Sequence, residues 1–368
     1  MKTIVVSAVN LNNGGTLTIL RDCLRYLSTL AEAGEYKVVA IVYKKELADF
    51  PHITYMETQW PKQRWINRLW YEYVSLKKIS KDLAPVYLWL SLHDTSPNVQ
   101  AERRAVYCHN PFPFYKWKWR EWFFTPKIVM FALFSKSFYR PNITKNKFVI
   151  VQQQWIRKAF VEMFNLDASR LIVALPDPPL TEELDLNIVD KKSTVNFIYA
   201  SSPNSHKNFE CLTEATRLLT ERGIQGFKVH ITVKGTENGY AQWLFKNWGH
   251  VEALDFAGFM DRSTLFQHYA VSDCLVFPSK VETWGLPITE FAAFQKPMLL
   301  ADLPYAYETG AGAQQVAFFN PDDPKQLADL MAQLIAGEKD ALHAVPAQQV
   351  EEPQAHSWSE LFNHLLKD

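Results

Sequence analysis

The opening stretch already commits this chain to a parallel α/β architecture. Thr3 to Val9 is a short apolar run rich in β-branched residues, as a buried strand requires. It ends in Asn-Leu-Asn-Asn-Gly-Gly, after which Leu17, Leu20, Leu24, Leu27 and Leu30 recur at helical spacing until Gly34. Lys37 to Tyr43 is a second apolar run. A strand, a crossover helix and a second strand make a β-loop-α-β unit, and such crossovers join parallel strands, so a doubly wound sheet is predicted. Gly14 and Gly15 fall at the first strand-to-helix turn, where folds of this kind open towards a ligand. A turn that needs positive φ explains the pair equally well, and the two readings are compatible. Asn10-Leu11-Asn12 stands where a Gly-x-Gly-x-x-Gly dinucleotide fingerprint needs its first glycine, so that fingerprint is incomplete.

A second α/β series starts further on. Asn165 to Leu186 contains Asp-Pro-Pro and little periodicity, so the interdomain linker is expected there, bounded at 171–190. Beyond it, strands are predicted at Asn196 to Ala200, Lys228 to Val233, Cys274 to Phe277 and Pro297 to Leu300. Helices are predicted at Asn208 to Glu221, Ser263 to Tyr269, Pro324 to Ala336 and Trp358 to Leu366. The chain has 368 residues, enough for two domains at a prior of ~150 each. The expected division is 1–170 and 191–354.

Composition narrows the class. At 48% hydrophobic and 21% charged residues the chain is an ordinary globular protein, and it has no run near the ~20 apolar residues needed to span a bilayer. The N-terminal Met-Lys-Thr-Ile-Val-Val lacks the long apolar core of a signal peptide and reads as a first strand. Cys23, Cys108, Cys211 and Cys274 form no C-x-x-C pair, which argues for buried thiols in a reducing cytoplasm. The net charge of zero hides a polarity: residues 101–160 carry twelve Lys/Arg against two Glu, a net of +10. Residues 301–368 carry three Lys against eleven Asp/Glu, a net of −8. The basic part is the one suited to meet phosphate.

The best functional clue is Pro278-Ser-Lys-Val-Glu-Thr-Trp-Gly-Leu-Pro-Ile-Thr-Glu290, which sets Glu282 and Glu290 eight positions apart around a Gly-Leu-Pro corner. An apolar run enters it and a helical stretch leaves it, so the corner is a strand-to-helix junction. Unpaired amides at a helix start carry partial positive charge and suit nucleotide phosphates, and Gly285 lets backbone approach closely. The two carboxylates are acceptors for sugar hydroxyls. Lys207, in Ser-His-Lys-Asn after a predicted strand and just ahead of a helix, places an ammonium within reach of a diphosphate bound there, where it would neutralise growing charge; a solvated loop lysine fits the same position.

These stretches, with Gly14-Gly15, Ala-Gly-Phe at 257–259 and Phe-Phe-Asn-Pro-Asp-Asp-Pro at 318–324, occur in the order found in the retaining glycosyltransferases of family four (glycosyl transferases group 1), which the chain resembles. The resemblance is strong over the second half and loose over the first. It implies the GT-B fold, an α/β arrangement of two Rossmann-like domains facing across a cleft, with the C-terminal helix at about 355–368 crossing back to the first domain. It implies that Glu282 holds the transferred sugar, Glu290 the ribose, Lys207 the diphosphate, and the amides around Gly285 and Leu286 the phosphates. His109, in Tyr-Cys-His-Asn-Pro, would face the sugar from the first domain, though a structural histidine fits the same position. Phe259 would flank the base, and Gly14 and Gly15 would let donor or acceptor approach. One departure stands out: the family commonly has an Arg five residues before the Lys, and here that place is Ser202. Lys280 or Lys234 would have to supply the second cation, or hydroxyl and backbone donors replace it.

The implied partners are a nucleoside diphosphate sugar and a glycan acceptor, carried on a polyprenyl diphosphate or free. No cofactor is expected, and with no Asp-x-Asp triplet no metal is expected at the diphosphate. The segment Phe112 to Phe124 interleaves Trp117, Trp119 and Trp122 with Lys116, Lys118 and Arg120, and Trp65, Arg68, Trp70 and Tyr71 form a second such cluster. This mixture suits core packing, a membrane interface or nucleic acid. A lipid-linked acceptor favours the membrane as partner over nucleic acid, and a cytoplasmic chain peripheral to the inner face of the cell membrane follows. A phosphorylase, an epimerase or a sugar-nucleotide binder without activity would keep the fold and change the chemistry.

Overall fold

The computed structural model describes residues 1–175 and 194–367. In chain order its first elements are β1 (Lys2–Ser7), α1 (Gly14–Glu32), β2 (Tyr36–Val42), β3 (Ile53–Glu57), α2 (Trp65–Trp70), α3 (Leu76–Asp82), β4 (Leu88–Ser91) and β5 (Arg103–Tyr107). Then come α4 (Glu121–Phe124), α5 (Pro126–Tyr139), β6 (Phe148–Val151), α6 (Gln154–Phe164) and β7 (Leu171–Ala174). The second series is β8 (Val195–Tyr199), α7 (Phe209–Glu221), β9 (Phe227–Ile231), α8 (Gly239–Trp248), β10 (Leu254–Phe256), α9 (Arg262–Val271) and β11 (Cys274–Phe277). It closes with α10 (Leu286–Ala292), β12 (Met298–Ala301), α11 (Pro304–Thr309), β13 (Val316–Phe319), α12 (Pro324–Ile335), β14 (Gln354–Ala355) and α13 (Trp358–Leu366).

One compact unit comprises Met1–Asn110, Phe134–Asp177 and Val350–Asp368. Its sheet runs β14-β7-β6-β5-β4-β1-β2-β3, with parallel pairings throughout. Successive strand residues point to opposite faces, and both faces here are covered. Ile4 and Val6 enter one core with Leu24, Leu27 and Phe362, while Val5 enters another with Ile41, Leu76 and Trp89. That double burial is why the strands read as continuous apolar runs. The C-terminal α13 lies on the first of these cores: Phe362 stacks on Tyr26 at 5.4 Å between ring centroids, and the Arg103 guanidinium donates to Leu365 O at 3.2 Å. Ser357 caps α13 by accepting the Glu360 amide, and the Glu360 carboxylate accepts the His356 amide, a reciprocal pattern that stops the helix from extending backwards.

The second unit comprises Pro111–Leu133 and Pro178–Gln349, and its parallel sheet runs β10-β9-β8-β11-β12-β13. Phe197, Tyr199, Phe277 and Phe291 are fully buried in its core.

The boundaries differ from the sequence expectation in three places. Leu171–Ala174, placed in the linker at 171–190, is β7, a strand held by β6 and β14, and the rest of that stretch from 176 to 190 lies outside the described residues. Residues 350–354 leave the second unit earlier than the boundary at 354, because β14 needs β7 as its partner. Residues 111–133 cluster with the second unit although the division at 170 assigned them to the first.

Candidate active site

In the second sheet the winding reverses between β8 and β11: β9 and β10 lie to one side, β12 and β13 to the other. Loops at the carboxyl ends of two such strands diverge and leave room for a ligand. Lys207 follows β8 and Glu282 follows β11, so the two residues flank this point from adjacent strands. Lys207 closes a 3₁₀ turn, Ser205–Lys207, whose end is fixed by the Tyr199 hydroxyl donating to Lys207 O at 2.7 Å. Its Nζ donates to Glu282 Oε1 at 2.5 Å, with side chains 16% and 12% exposed, so each charge neutralises the other in a largely enclosed place.

The corner after Glu282 is rigid for identifiable reasons. Gly285 has φ of 92°, a left-handed conformation that disfavours a side chain, and a Cβ there would lie 3.3 Å from Ile288 Cδ1. The Ile288 amide is committed to Gly285 O at 2.9 Å and Pro287 has no N–H, which leaves the Gly285 and Leu286 amides for a ligand. Tyr305 donates to Ser279 O at 2.7 Å and Thr309 to Trp284 O, bracing both ends of the turn. Asn208, in the left-handed conformation, donates to Pro278 O at 3.0 Å and to Pro321 O at 2.8 Å, tying together the loops after β8, β11 and β13. None of these braces was singled out from the sequence, although Asn208 lies within the quoted Ser-His-Lys-Asn.

Glu290 lies on α10, half-buried, and burial raises its pKa against the opposing effect of Arg262. Beside it the Tyr269 hydroxyl is buried without a hydrogen-bond partner among the described residues. No hydrogen bond or ion pair joins Glu290 to Lys207 or Glu282 among the described residues. Ser202 is exposed and accepts from Asn204 Nδ2 at 2.9 Å. Of the two lysines considered for the missing Arg, Lys280 is committed to Glu121 at 3.2 Å and is 9% exposed. Lys234 is exposed in the loop after β9, which Asn238 joins to the β8 loop by donating to Pro203 O at 2.7 Å. Phe259, after Gly258, is 89% exposed.

The first sheet has its own reversal between β1 and β4. Gly14 and Gly15 start α1 there. Gly14 has φ of 58°, and at either position an added Cβ would meet nothing within 4 Å, so the helix start is open. Asn13 precedes them without a side-chain capping bond. His109 follows β5. Its Nε2 lies 2.9 Å from Leu92 O, so Nε2 carries the hydrogen and Nδ1 is a bare acceptor, buried and without a partner among the described residues. Burial holds its pKa below the ordinary value, and the ring stacks on Tyr107 at 4.3 Å. Asp94 accepts the His109 amide at 2.6 Å and the Tyr139 hydroxyl at 3.0 Å. A neighbouring network went unnoticed in the sequence: Glu72, 2% exposed on the π-helical turn Tyr71–Ser75, meets Arg68 Nε at 3.1 Å and His93 Nδ1 at 3.4 Å. No sequence motif announces it.

The aromatic-basic segments divide. Phe124 and Arg120 are tucked against Trp243, whereas Trp119 and Phe123 are 74% and 71% exposed. In the first unit Trp65, Ile66 and Trp70 are exposed along α2. Among the described residues no helix is long and apolar enough to cross a membrane.

Two parallel α/β units with ligand-facing loops at their winding reversals are the fold of known glycosyltransferases. Sucrose-phosphate synthase from Thermosynechococcus elongatus superposes with a TM-score of 0.62 at 15% identity, over 91% of this chain and 90% of that one. Anabaena HepE, solved in complex with UDP and glucose, gives a TM-score of 0.57 at 14% identity over 93% and 92% of the two chains. Residues 183–349 match the model of the family described as glycosyl transferases group 1. The O-antigen chain mannosyltransferase RfbU of Salmonella typhimurium is 21% identical over 339 residues, 87% of this chain and 88% of the relative.

Proposed function

We propose that this glycosyltransferase is a retaining, metal-independent enzyme that moves a hexosyl group from a nucleoside diphosphate sugar to a glycan acceptor in surface polysaccharide synthesis. The observation that carries the reading is the Lys207–Glu282 contact of 2.5 Å at the winding reversal of the second sheet, with the open Gly285-Leu286 corner beside it. A diphosphate entering there would share the Lys207 ammonium and take the corner amides. Glu282 is then free to accept from hydroxyls of the transferred sugar, and Glu290 from the ribose. Charge that develops on the leaving phosphate meets groups already in place, which lowers the barrier without reorganisation. The acceptor oxygen bonds to the anomeric carbon on the face from which the phosphate oxygen departs, and that oxygen takes the acceptor's proton. No enzyme nucleophile is used. His109, neutral, offers Nδ1 as acceptor to a sugar hydroxyl. Lys234 is the cation that stands in for the Arg missing at Ser202.

The RfbU likeness supports a surface-glycan acceptor, and the bound UDP and glucose of HepE support a sugar-nucleotide donor. The exposed Trp119 and Phe123, with Lys116 nearby, and the exposed face of α2 support contact with a membrane that carries a polyprenyl-linked acceptor. Thermal unfolding against UDP-, GDP-, dTDP- and ADP-sugars tests the donor: a ligand at 100 times its Kd adds ~2.7 kcal/mol. Anomeric analysis of the product by NMR tests retention. Stabilisation by none of the four, or an inverted product, sinks the respective part.

A further inference from the structure

Residues 111–125 follow β5 of the first sheet in sequence, yet they are held to the second unit by a deeply placed charge network. Glu121, 2% exposed, faces Lys280 Nζ at 3.2 Å and accepts the Tyr115 hydroxyl at 2.5 Å and the Lys118 amide at 3.1 Å. Lys280 also lies 3.8 Å from Glu210, which accepts from Tyr240 and pairs with Arg120 at 3.2 Å. The Arg120 guanidinium sits over the Trp243 ring at 4.8 Å, and Phe124 packs on Tyr240 and Trp243. Enclosed ion pairs of this kind add little over apolar packing, but breaking one side is costly, so what they contribute is a defined geometry.

The remaining contacts of the segment converge on one turn, the 3₁₀ turn that ends in Lys207. Thr125 Oγ1 and Ser205 Oγ are 2.5 Å apart. The rings of Phe112 and Tyr115 meet His206 edge to face, at 5.0 Å and 6.1 Å between centroids. His206 Nδ1 is buried with no partner among the described residues, and burial, then Lys207 and Lys280, hold the ring neutral. What holds this ring is therefore the packing of Phe112 and Tyr115 and not a hydrogen bond through Nδ1. The backbone of the same residue is gripped by the Glu282 loop: His206 O accepts the Lys280 amide at 2.8 Å. His206 is therefore clasped between residues 112–125 and the loop that presents Glu282, and the next residue is Lys207.

We propose that residues 111–125 are a positioning arm for the donor diphosphate, in which Glu121 and Lys280 anchor the segment and the His206 ring passes its placement to Lys207. The proposal rests on the donor-site reading above. His206 and Glu121 are positioning residues; neither touches substrate.

Calorimetric titration with UDP, GDP, dTDP and ADP, on variants shown to be folded by thermal unfolding, tests this. For whichever diphosphate binds the wild type, His206→Ala is expected to weaken the Kd about tenfold, and His206→Phe, which keeps the ring, to stay within about threefold. If His206 acts through Lys207, the double variant with Lys207→Ala binds no more weakly than Lys207→Ala alone. Should His206→Ala not fold, Phe112→Leu is measured in its place, with a loss of about fivefold expected. Wild-type binding by His206→Ala or Phe112→Leu beside a weakened Lys207→Ala overturns the arm. So does His206→Phe as weak as His206→Ala, or losses that multiply in the double variant. A wild-type protein that binds none of the four, or an unimpaired Lys207→Ala, instead overturns the donor site on which the arm depends.

Discussion

The two winding reversals of this molecule solve opposite electrostatic problems. At β8 and β11 the loops present a full charge pair, Lys207 and Glu282, enclosed but poised to be shared. At β1, β4 and β5 the corresponding groups are neutral or already satisfied: burial keeps His109 neutral with Nδ1 unpartnered among the described residues, and Asp94 is occupied by the His109 amide and Tyr139. A site for a departing diphosphate needs fixed positive charge, whereas a site for sugar hydroxyls needs acceptors and donors without net charge. Under the proposed function, the same loop positions on two similar sheets take these two jobs.

The sharpest way to break this contrast is Glu282→Ala. Turnover is expected to fall about 10³-fold with the fold retained, as measured by product formation and circular dichroism. Unchanged turnover would strip Glu282 of its role. The neutral half should be less demanding: His109→Gln, which keeps a hydrogen-bonding side chain, is expected to lower kcat by about 10- to 100-fold. A loss equal to that of Glu282→Ala would mean the histidine handles charge after all.

Acid should destabilise both units. Burial is the first cause that depresses His93, His109 and His206 in the folded protein, so they stay neutral while the unfolded chain takes up protons below about pH 6.5. The unfolded state then binds more protons, and stability falls with pH from about 6.5 downward. Glu290, raised by burial, works in the opposite sense over the carboxylate range, where it is set against Glu214, held low by its hydrogen bond from Arg217, while His268 is depressed by burial like the other three histidines. A melting temperature lower by several degrees near pH 5.5 than near pH 7.5 is expected; a flat profile would contradict the buried neutral state.

Lys234→Ala should raise the donor KM about tenfold and leave unfolding unchanged, since the side chain is exposed. The smallest effect is expected from Phe259→Ala, about a threefold rise in donor KM, because the ring is nearly free in solvent and only a base would cover it.

Much of this was legible in the residues. Cys274–Phe277 and Trp358–Leu366 form where the apolar pattern places them, and α1 carries its leucines on the buried face. Local signals suffice there because apolar spacing and a cap such as Ser357 act within one turn. They did not suffice for β7. Leu171–Ala174 is a short apolar run ahead of Leu175-Pro176-Asp177-Pro178-Pro179, and only pairing with β6 and β14 makes it a strand. Glu282 and Lys207 were nameable because each lies in a motif, but that they meet is a property of adjacent strands, as is the loss of Lys280 to Glu121.

What the chain determined unaided is its pair of parallel sheets and the kinds of residue placed at their loops, since strand, helix and turn preferences are set over a few neighbours. Tertiary structure decided which charges would face one another and which segment would serve which unit. Glu121 and Lys280 are 159 positions apart, and no periodicity reaches that far; their pairing follows from where the ring packing of Phe112, Tyr115 and Phe124 puts the backbone.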